Sequence, residues 1–195
     1  MAVLISLLRG VNVGGHHKIK MDALRALYGS LGLRDAQTYI NSGNVIFRSD
    51  ARDLDPLRKR IEKGIEKNFG FHADVMIRTC SELRKVIAGS PFARRRDIDP
   101  KKLAVLFLAA APSPEAREQA LRIEADPEEL RIARRELYIY FANGMARPKL
   151  LPALLERTLR TSGTGRNWNT VTKLLELAER ITSGGGGAVS GKSIG

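Results

Sequence analysis

The spacing between hydrophobic residues changes several times in the first 79 residues, and each change marks a predicted element. A continuous apolar run opens the chain, which is typical of a strand buried on both faces. Later segments either recur every three or four residues, as in an amphipathic helix, or alternate, as in a half-buried strand. The expected strands are 2–8, 36–40, 45–47 and 73–77, and the expected helices are 21–31 and 56–69. This βαββαβ order predicts a ferredoxin-like, or split β-α-β, unit over residues 1–79.

A second unit is predicted for residues 80–182. Thr79 and Glu82 have the spacing of a capping box at the start of a short helix, and a polar linker is expected over 93–102. The predicted elements that follow are a strand at 103–109, a helix at 113–121, a hairpin at 130–134 and 137–141, and helices at 150–159 and after Asn169. Because the order βαββα resembles that of the first unit, the fold class is α+β with two ferredoxin-like units, and a duplication would explain it.

Residues 183–195 are rich in Gly and Ser, and we expect a disordered tail. Within this tail, Gly186 to Ser193 spells the P-loop pattern. A P-loop needs a strand before it and a helix after it, because the helix N-terminus supplies the amides that hold phosphate. We attribute the match to composition.

The charge balance narrows the classes of partner. Lys and Arg number 33 against 21 Asp and Glu, which gives a net charge of +12 and a pI near 10.3. Such a surface attracts nucleic acid or phosphorylated molecules. However, only 6% of the residues are aromatic, and aromatic side chains are the ones that stack on bases. No apolar run approaches a membrane span, and a single cysteine, Cys80, fits a cytoplasmic protein without internal disulfides.

The most suggestive loop is Arg9–Gly15, which follows the first strand and precedes a helix. Ligands often bind at this edge of a sheet, and glycines let backbone amides approach an anion. A tight turn with solvated charges is the competing interpretation. The neighbouring His16-His17 pair lacks an acidic or Cys partner at ligand spacing, so no metal site is predicted. The sequence identifies no cofactor.

Two further polar stretches are candidates. Tyr39–Asn44 has the composition of a hairpin turn, and Arg166–Thr170 is expected at a helix start, where a guanidinium and two amides would suit a phosphate. Turn formation alone would explain the first stretch, and a helix cap with Trp168 in the core would explain the second. Tyr138 and Tyr140 share one face of a strand, which the other half of the protein is expected to cover.

These motifs together resemble the bacterial family called domain of unknown function 1697. The resemblance covers nearly all of residues 1–182 and rests on Leu7–Gly15, Lys18–Met21 with Leu24, Tyr39–Phe47, Pro91-Phe92, Asn143-Gly144 with Arg147, Lys149 and Leu150, and Arg166–Val171 with Lys173-Leu174. The resemblance implies an α+β protein of ferredoxin-like units and no defined activity. The sequence departs from the family pattern at Phe141-Ala142, where Tyr-Pro is usual, and at Pro148, where Ser is usual.

We therefore expect the polar positions of these segments to converge on one cleft that binds an anionic, phosphorylated ligand. The candidate residues are Arg9, Asn12, Gly14, Gly15, Lys20, Ser42, Asn44, Lys149, Arg166, Asn167, Trp168, Thr170 and Lys173. This set is rich in hydrogen-bond donors and poor in general bases, so it suits binding better than hydrolysis. Nucleic acid is the first expected ligand. The alternatives are an enzyme or binding module for a nucleotide or another phosphorylated metabolite, and a protein-interaction domain without a small ligand.

Overall fold

A computed structural model describes residues 1–145 and 148–183. The strands are β1 (Ala2–Leu8), β2 (Arg34–Tyr39), β3 (Asn44–Ser49), β4 (Val75–Thr79), β5 (Leu103–Leu108), β6 (Glu129–Ala133), β7 (Glu136–Tyr140) and β8 (Gly163–Asn167). The helices are α1 (Met21–Ser30), α2 (Leu54–Phe69), α3 (Cys80–Ala88), α4 (Pro114–Leu121), α5 (Pro152–Leu159) and α6 (Trp168–Ser183). The fold is therefore α+β. Ser183, which the sequence placed in the tail, ends α6; the rest of the predicted tail and its P-loop pattern lie outside the described residues.

The strands form two four-stranded antiparallel sheets with the same order of strands. The N-terminal sheet runs β2-β3-β1-β4 and the C-terminal sheet runs β6-β7-β5-β8. One face of the N-terminal sheet packs on α1 and α2, through a core that includes Leu4, Phe47 and Ile61. One face of the C-terminal sheet packs in the same way on α4 and α5. In each sheet, the strand that comes first in the chain (β1 or β5) lies between two other strands.

The strand β8 was missing from the sequence prediction, which gave βαββα for this half. Its sequence, Gly-Thr-Gly-Arg-Asn, has no alternation of apolar and polar residues. It pairs with β5 alone, at the edge of the C-terminal sheet. The predicted start of the last helix, after Asn169, was two residues late: α6 begins at Trp168, directly after Asn167, and Arg166 lies in β8. Because β8 lies at the edge of the sheet and its long buried side chain is the polar Arg166, its sequence has no hydrophobic pattern that would indicate a strand.

The second faces of the two sheets share one apolar core with α3 and α6, and we call this core the middle layer. It includes Ile5 and Leu7 from β1, Val105 and Phe107 from β5, and Tyr138 from β7. Because β1 and β5 are covered on both faces, their sequences are continuous apolar runs rather than alternating ones. The Tyr138 hydroxyl donates to the Val86 carbonyl of α3 at 2.8 Å, so this ring is part of the core.

The segment between α3 and β5 contains a short helical turn and an ion pair to β6. Within the predicted linker 93–102, Pro100–Lys102 forms a single turn of 3-10 helix, and Arg95 donates to both carboxylate oxygens of Glu129 at 2.7 Å. In the part of the chain that the structure describes, none of the helices combines the length and hydropathy needed to cross a membrane.

The turn between β2 and β3 packs tightly on the end of β1. The Leu8 N–H donates to the Gly43 carbonyl at 2.9 Å, and Gly43 has a φ of +70°. A Cβ added at Gly43 would lie 2.8 Å from the Leu8 Cβ, which is too close for ordinary packing. Glycine is therefore required here by both backbone conformation and space.

We predict that Gly43→Ala destabilises the protein more than Gly70→Ala. Gly70 also has a positive φ, of +77°, but no neighbouring side chain or backbone atom lies within 4 Å of the place that an alanine methyl group would take. Gly70→Ala should cost about 1 kcal/mol from the left-handed backbone alone. Gly43→Ala should cost about 1–3 kcal/mol more, because the methyl group overpacks the contact with Leu8. Urea unfolding of the two variants measures the difference, and equal losses would contradict the close approach.

Candidate functional site

Arg166 is the centre of the polar motifs that the sequence singled out. It is 7% exposed, and its guanidinium reaches from β8 into the N-terminal sheet. The acceptors are Asn44 Oδ1 at 2.5 Å, Thr164 Oγ1 at 2.7 Å, the carbonyls of Gly165 and Leu8 at 2.8 Å, and that of Ser42 at 2.9 Å. All five N–H groups of the side chain are used. Burial lowers the pKa of Arg166 to about 10, so the group remains charged at neutral pH.

Arg78 makes the reciprocal connection, from β4 into the C-terminal sheet. It is 2% exposed; its Nε donates to Glu136 Oε1 at 3.0 Å and its Nη2 donates to the Leu108 carbonyl at 2.9 Å. The two arginines occupy matching positions. Leu8 and Leu108 are the last residues of β1 and β5, and Asn44 and Glu136 are the first residues of β3 and β7.

The two connections differ in charge. Burial lowers the pKa of Arg78, while the carboxylate of Glu136 opposes that shift. Arg166 faces the neutral amide of Asn44 in the equivalent place. Its positive charge is stabilised by carbonyl, hydroxyl and amide oxygens alone, and such a group needs every hydrogen bond to offset the cost of burial.

The structure thus brings together Ser42, Asn44 and Arg166, three of the thirteen residues that the sequence analysis expected in one ligand-binding cleft. Asn44 is fully buried, and its Nδ2 donates to the Tyr39 carbonyl at 3.0 Å and to Ser42 Oγ at 2.9 Å. The group forms a closed network, in which the donors and acceptors satisfy one another. A ligand could bind Arg166 only if one of these bonds broke.

Arg9 lies next to this network, at the end of β1. Its Nε and Nη2 donate to the two carboxylate oxygens of Glu156 at 3.1 and 2.7 Å, and its Nη1 lies 3.6 Å from Asp74. Glu156 also accepts from the Gly163 N–H at 3.0 Å. Arg9 therefore joins the first loop to α5 and to the start of β8.

Asn12 fixes the loop that follows Arg9. Its side chain donates to the carbonyls of Ile19 and Asn41 at 3.0 and 2.7 Å, and accepts from the Ile19 N–H at 2.9 Å. Gly14 and Gly15, with φ of +59° and +81°, form an exposed turn beyond it. The loop is thus anchored at its base by Asn12, while its glycine turn is open to solvent.

The same loop carries exposed cations and one ring of a stacked aromatic pair. Lys18 and Lys20 are exposed, and neither side chain has a hydrogen-bonding partner among the described residues. The exposed His17 ring stacks on Phe71, just beyond α2, with the ring centroids 4.3 Å apart and the planes 10° apart. The sequence analysis did not single out Phe71, because a pairing across 54 positions leaves no local pattern.

The remaining candidates have other partners. Lys149 binds the Asp126 carbonyl, and Lys173 binds Glu176 at 2.9 Å. Asn167 donates to the Lys101 carbonyl at 2.8 Å and accepts from the Asn169 N–H at 3.0 Å, which caps α6. Trp168 packs against the middle layer and Thr170 is half-buried on α6. Ligand binding by these residues stays a prediction.

A groove that the sequence analysis did not predict lies between α3 and the β6–β7 hairpin. Its volume is about 520 Å³. It is lined by Glu82, Lys85, Val86, Ala88, Gly89, Ala133, Arg134, Arg135, Glu136 and Tyr138. None of the thirteen residues predicted above lines it. Residues 1–145 and 148–183 contain no group of three or more His, Cys, Asp or Glu side chains that could hold a metal ion.

Together, the two sheets and the arginines exchanged between them define an α+β protein built around a shared core. The comparison with family models gives the family. A model described as a protein of unknown function, DUF1697, matches residues 1–138, and the chain belongs to this family. The match ends within β7 and leaves out α5, β8 and α6.

A similar solved structure is that of the conserved bacterial protein SP0830 from Streptococcus pneumoniae. The TM-score is 0.74, with 22% sequence identity, and the likeness covers 91% of this chain and 98% of that one. At this identity the comparison establishes the fold alone. No curated protein matches the sequence.

We predict that Arg166→Met destabilises the protein by about 3 kcal/mol or more. The substitution would leave several buried oxygens, including Asn44 Oδ1 and the Leu8 carbonyl, without a donor, at a cost of about 1–3 kcal/mol each. The control is Arg9→Met, which removes an ion pair whose arginine side chain is 43% exposed and should cost no more than about 1 kcal/mol. Urea unfolding measures both, and equal losses would show that the buried network contributes no more than a surface pair.

Proposed function

We propose that this protein binds single-stranded nucleic acid through its first loop. The surface consists of residues 9–20 together with Phe71, and we call it the loop surface. The observation that carries the proposal is the exposed His17 ring, stacked on Phe71 and followed in sequence by Lys18 and Lys20. Aromatic platforms beside cations are the usual means of binding single strands without strong sequence preference.

The stacked pair supports the proposal through its geometry. Phe71 covers one face of the His17 ring at a centroid distance of 4.3 Å, and His17 remains exposed. The other face of the His17 ring is therefore a platform on which a base can stack parallel to the two rings. Each such stack contributes about 1–3 kcal/mol to binding. Phe71 itself packs against the N-terminal core, which holds the platform in place.

The charges of the loop surface support the same ligand. Lys18 and Lys20 are available for phosphate contacts, and Gly14 and Gly15 let a sugar-phosphate backbone approach the main chain. Arg9 has a different part, because Glu156 and Asp74 already neutralise it. Its role in this proposal is to hold the loop against α5. The net charge of +12 adds a long-range attraction for a polyanion.

The loop surface favours nucleic acid over a small phosphorylated molecule. It offers a platform and separate cations rather than an enclosed pocket, and an exposed surface of this kind gains affinity by contacting several nucleotides. The proposal includes a cytoplasmic location. A protein-interaction role without nucleic acid remains the competing outcome of the experiment below.

The proposal also concerns the architecture. We infer that the two sheets are copies of one ferredoxin-like unit, joined in tandem. The common strand order and the matching positions of Arg78 and Arg166 support this duplication. In the registers, Arg78 lies opposite Ile5 and Arg166 lies opposite Val105, each three residues before the end of its partner strand.

We predict that His17→Ala weakens the binding of single-stranded RNA about tenfold, because a base loses its stacking platform. Fluorescence anisotropy with a labelled uridine strand of about 12 nucleotides, at two salt concentrations, measures the affinity. His16→Ala is the matched control, since His16 is exposed on the same loop and has no stacking partner among the described residues. It should bind within about twofold of the parent protein, because no platform is lost.

The salt dependence provides a second readout. Lys18→Ala should lower the slope of log affinity against log salt by about 0.7, the value for one phosphate of a single strand. Equal affinities for the His17 and His16 variants would overturn the stacking platform. Saturation by uridine monophosphate with the affinity of the longer strand would favour a small-molecule site, and no binding of either would favour a protein partner.

A further inference from the structure

The groove between α3 and the β6–β7 hairpin has the charge pattern of a second site, separate from the loop surface. Two carboxylates, Glu82 and Glu136, line it, and both already have cationic partners. Arg135 donates to Glu82 at 3.0 Å, and the buried Arg78 donates to Glu136 at 3.0 Å. These acids therefore do not present free negative charge to a ligand.

Glu82 is held in its charged form by several groups. Burial raises its pKa, but the Thr79 N–H, the Thr79 hydroxyl and the nearby arginines outweigh that effect and leave the pKa of Glu82 below its ordinary value. The Thr79 N–H donates to Glu82 Oε2 at 2.8 Å, as part of the capping box of α3. The carboxylate is thus committed to the helix start and to Arg135.

Two cations of the groove are uncommitted. Lys85 and Arg134 are exposed, and neither side chain has a hydrogen-bonding partner in residues 1–145 and 148–183. They lie on opposite walls, since Lys85 belongs to α3 and Arg134 to the turn between β6 and β7. With the acids paired, the open walls of the groove carry positive charge.

The position of Arg134 is unusual for an arginine. It is the first of the two turn residues between Ala133 and Glu136, and its φ is +56°. A hairpin turn with positive φ at this place favours Gly or Asn, and a side chain there costs about 1 kcal/mol. The turn itself therefore does not require arginine, and the guanidinium at the rim of the groove is the feature that the residue supplies.

Part of the lining of the groove is apolar. Val86, Ala88 and Ala133 line it with Tyr138, whose hydroxyl is already bonded to the Val86 carbonyl. A volume of about 520 Å³ falls within the range of small-molecule sites. The combination suits a ligand with an anionic group, which would contact the two cations, and a planar or apolar body, which would contact the apolar part of the lining.

We propose that this groove binds a small phosphorylated molecule of mononucleotide size, with its phosphate between Lys85 and Arg134. The inference does not rest on the proposed nucleic-acid function, because no residue of the loop surface lines the groove. The two sites also lie in different units, after β1 and beside β7.

The test is a titration of the full chain, labelled with nitrogen-15, by adenosine monophosphate, inorganic phosphate and adenosine, followed by amide chemical shifts. Adenosine monophosphate should shift the amides of residues 82–89 and 133–138 with saturation, and should bind at least about tenfold more tightly than phosphate or adenosine alone, since neither fragment fills both parts of the groove. Shifts confined to residues 9–20 would overturn the groove and support the loop surface instead. No saturation by adenosine monophosphate at millimolar concentration would also overturn it.

The deciding variant is Arg134→Gly. Glycine suits the positive φ of the turn, so the fold is retained, and the affinity for adenosine monophosphate should fall about tenfold with the loss of one charge-assisted contact. Arg160→Gly is the matched control, because Arg160 is exposed, has a φ of +53° at the end of α5, and lies outside the groove. It removes the same charge and relieves the same strain. Equal affinities for the two variants would overturn the assignment.

Discussion

Two buried guanidinium groups hold the two sheets of this protein together, and the rest of the structure depends on them. Arg78 leaves the N-terminal sheet to bind the end of β5, and Arg166 leaves the C-terminal sheet to bind the end of β1. A charged group removed from water costs several kcal/mol unless its hydrogen bonds are all remade. In both arginines every guanidinium nitrogen has an oxygen partner. Two of the three bonds of Arg78 and three of the five bonds of Arg166 reach the opposite half of the protein, which makes the relative placement of the sheets a requirement of the network.

This constraint explains why the polar motifs resemble a ligand site. Arginine, asparagine, serine and glycine are the residues that a phosphate site uses, because they offer donors and permit close approach of the backbone. A buried arginine needs neighbours of the same residue types, because their oxygens accept its hydrogen bonds and their turns bring those oxygens close. Asn44 and Ser42 serve Arg166 in this way, and Gly43 lets their turn lie against Leu8. Sequence alone cannot separate the two uses, since they differ in where the atoms point.

The elements that could be predicted are those whose burial leaves a period in the sequence. The first unit followed from the apolar run of β1, the stripes of α1 and α2, and the alternation of β4, because each of these faces a core on a defined side. The strand β8 could not be predicted, since Gly163 and Gly165 provide no side chains and Arg166 is buried as a polar group. The stack of His17 on Phe71 and the groove beside α3 arise from tertiary contacts, for which the local sequence has no signal.

The two halves differ most where their shared scaffold is open to solvent. After β1 the chain forms a long loop with an anchored base, a glycine turn and exposed lysines, whereas after β5 only residues 109–113 separate the strand from α4. At the hairpins the contrast is reversed. The turn before Asn44 closes on Arg166, while the turn before Glu136 places Arg134 over a groove. A scaffold fixed by reciprocal arginines leaves the first loop and the second hairpin turn free to diverge, because neither supplies an acceptor for Arg78 or Arg166. The loop surface and Arg134 of the groove therefore belong to the parts of the chain that the stability of the fold constrains least, and those are the parts in which binding functions are most readily accommodated.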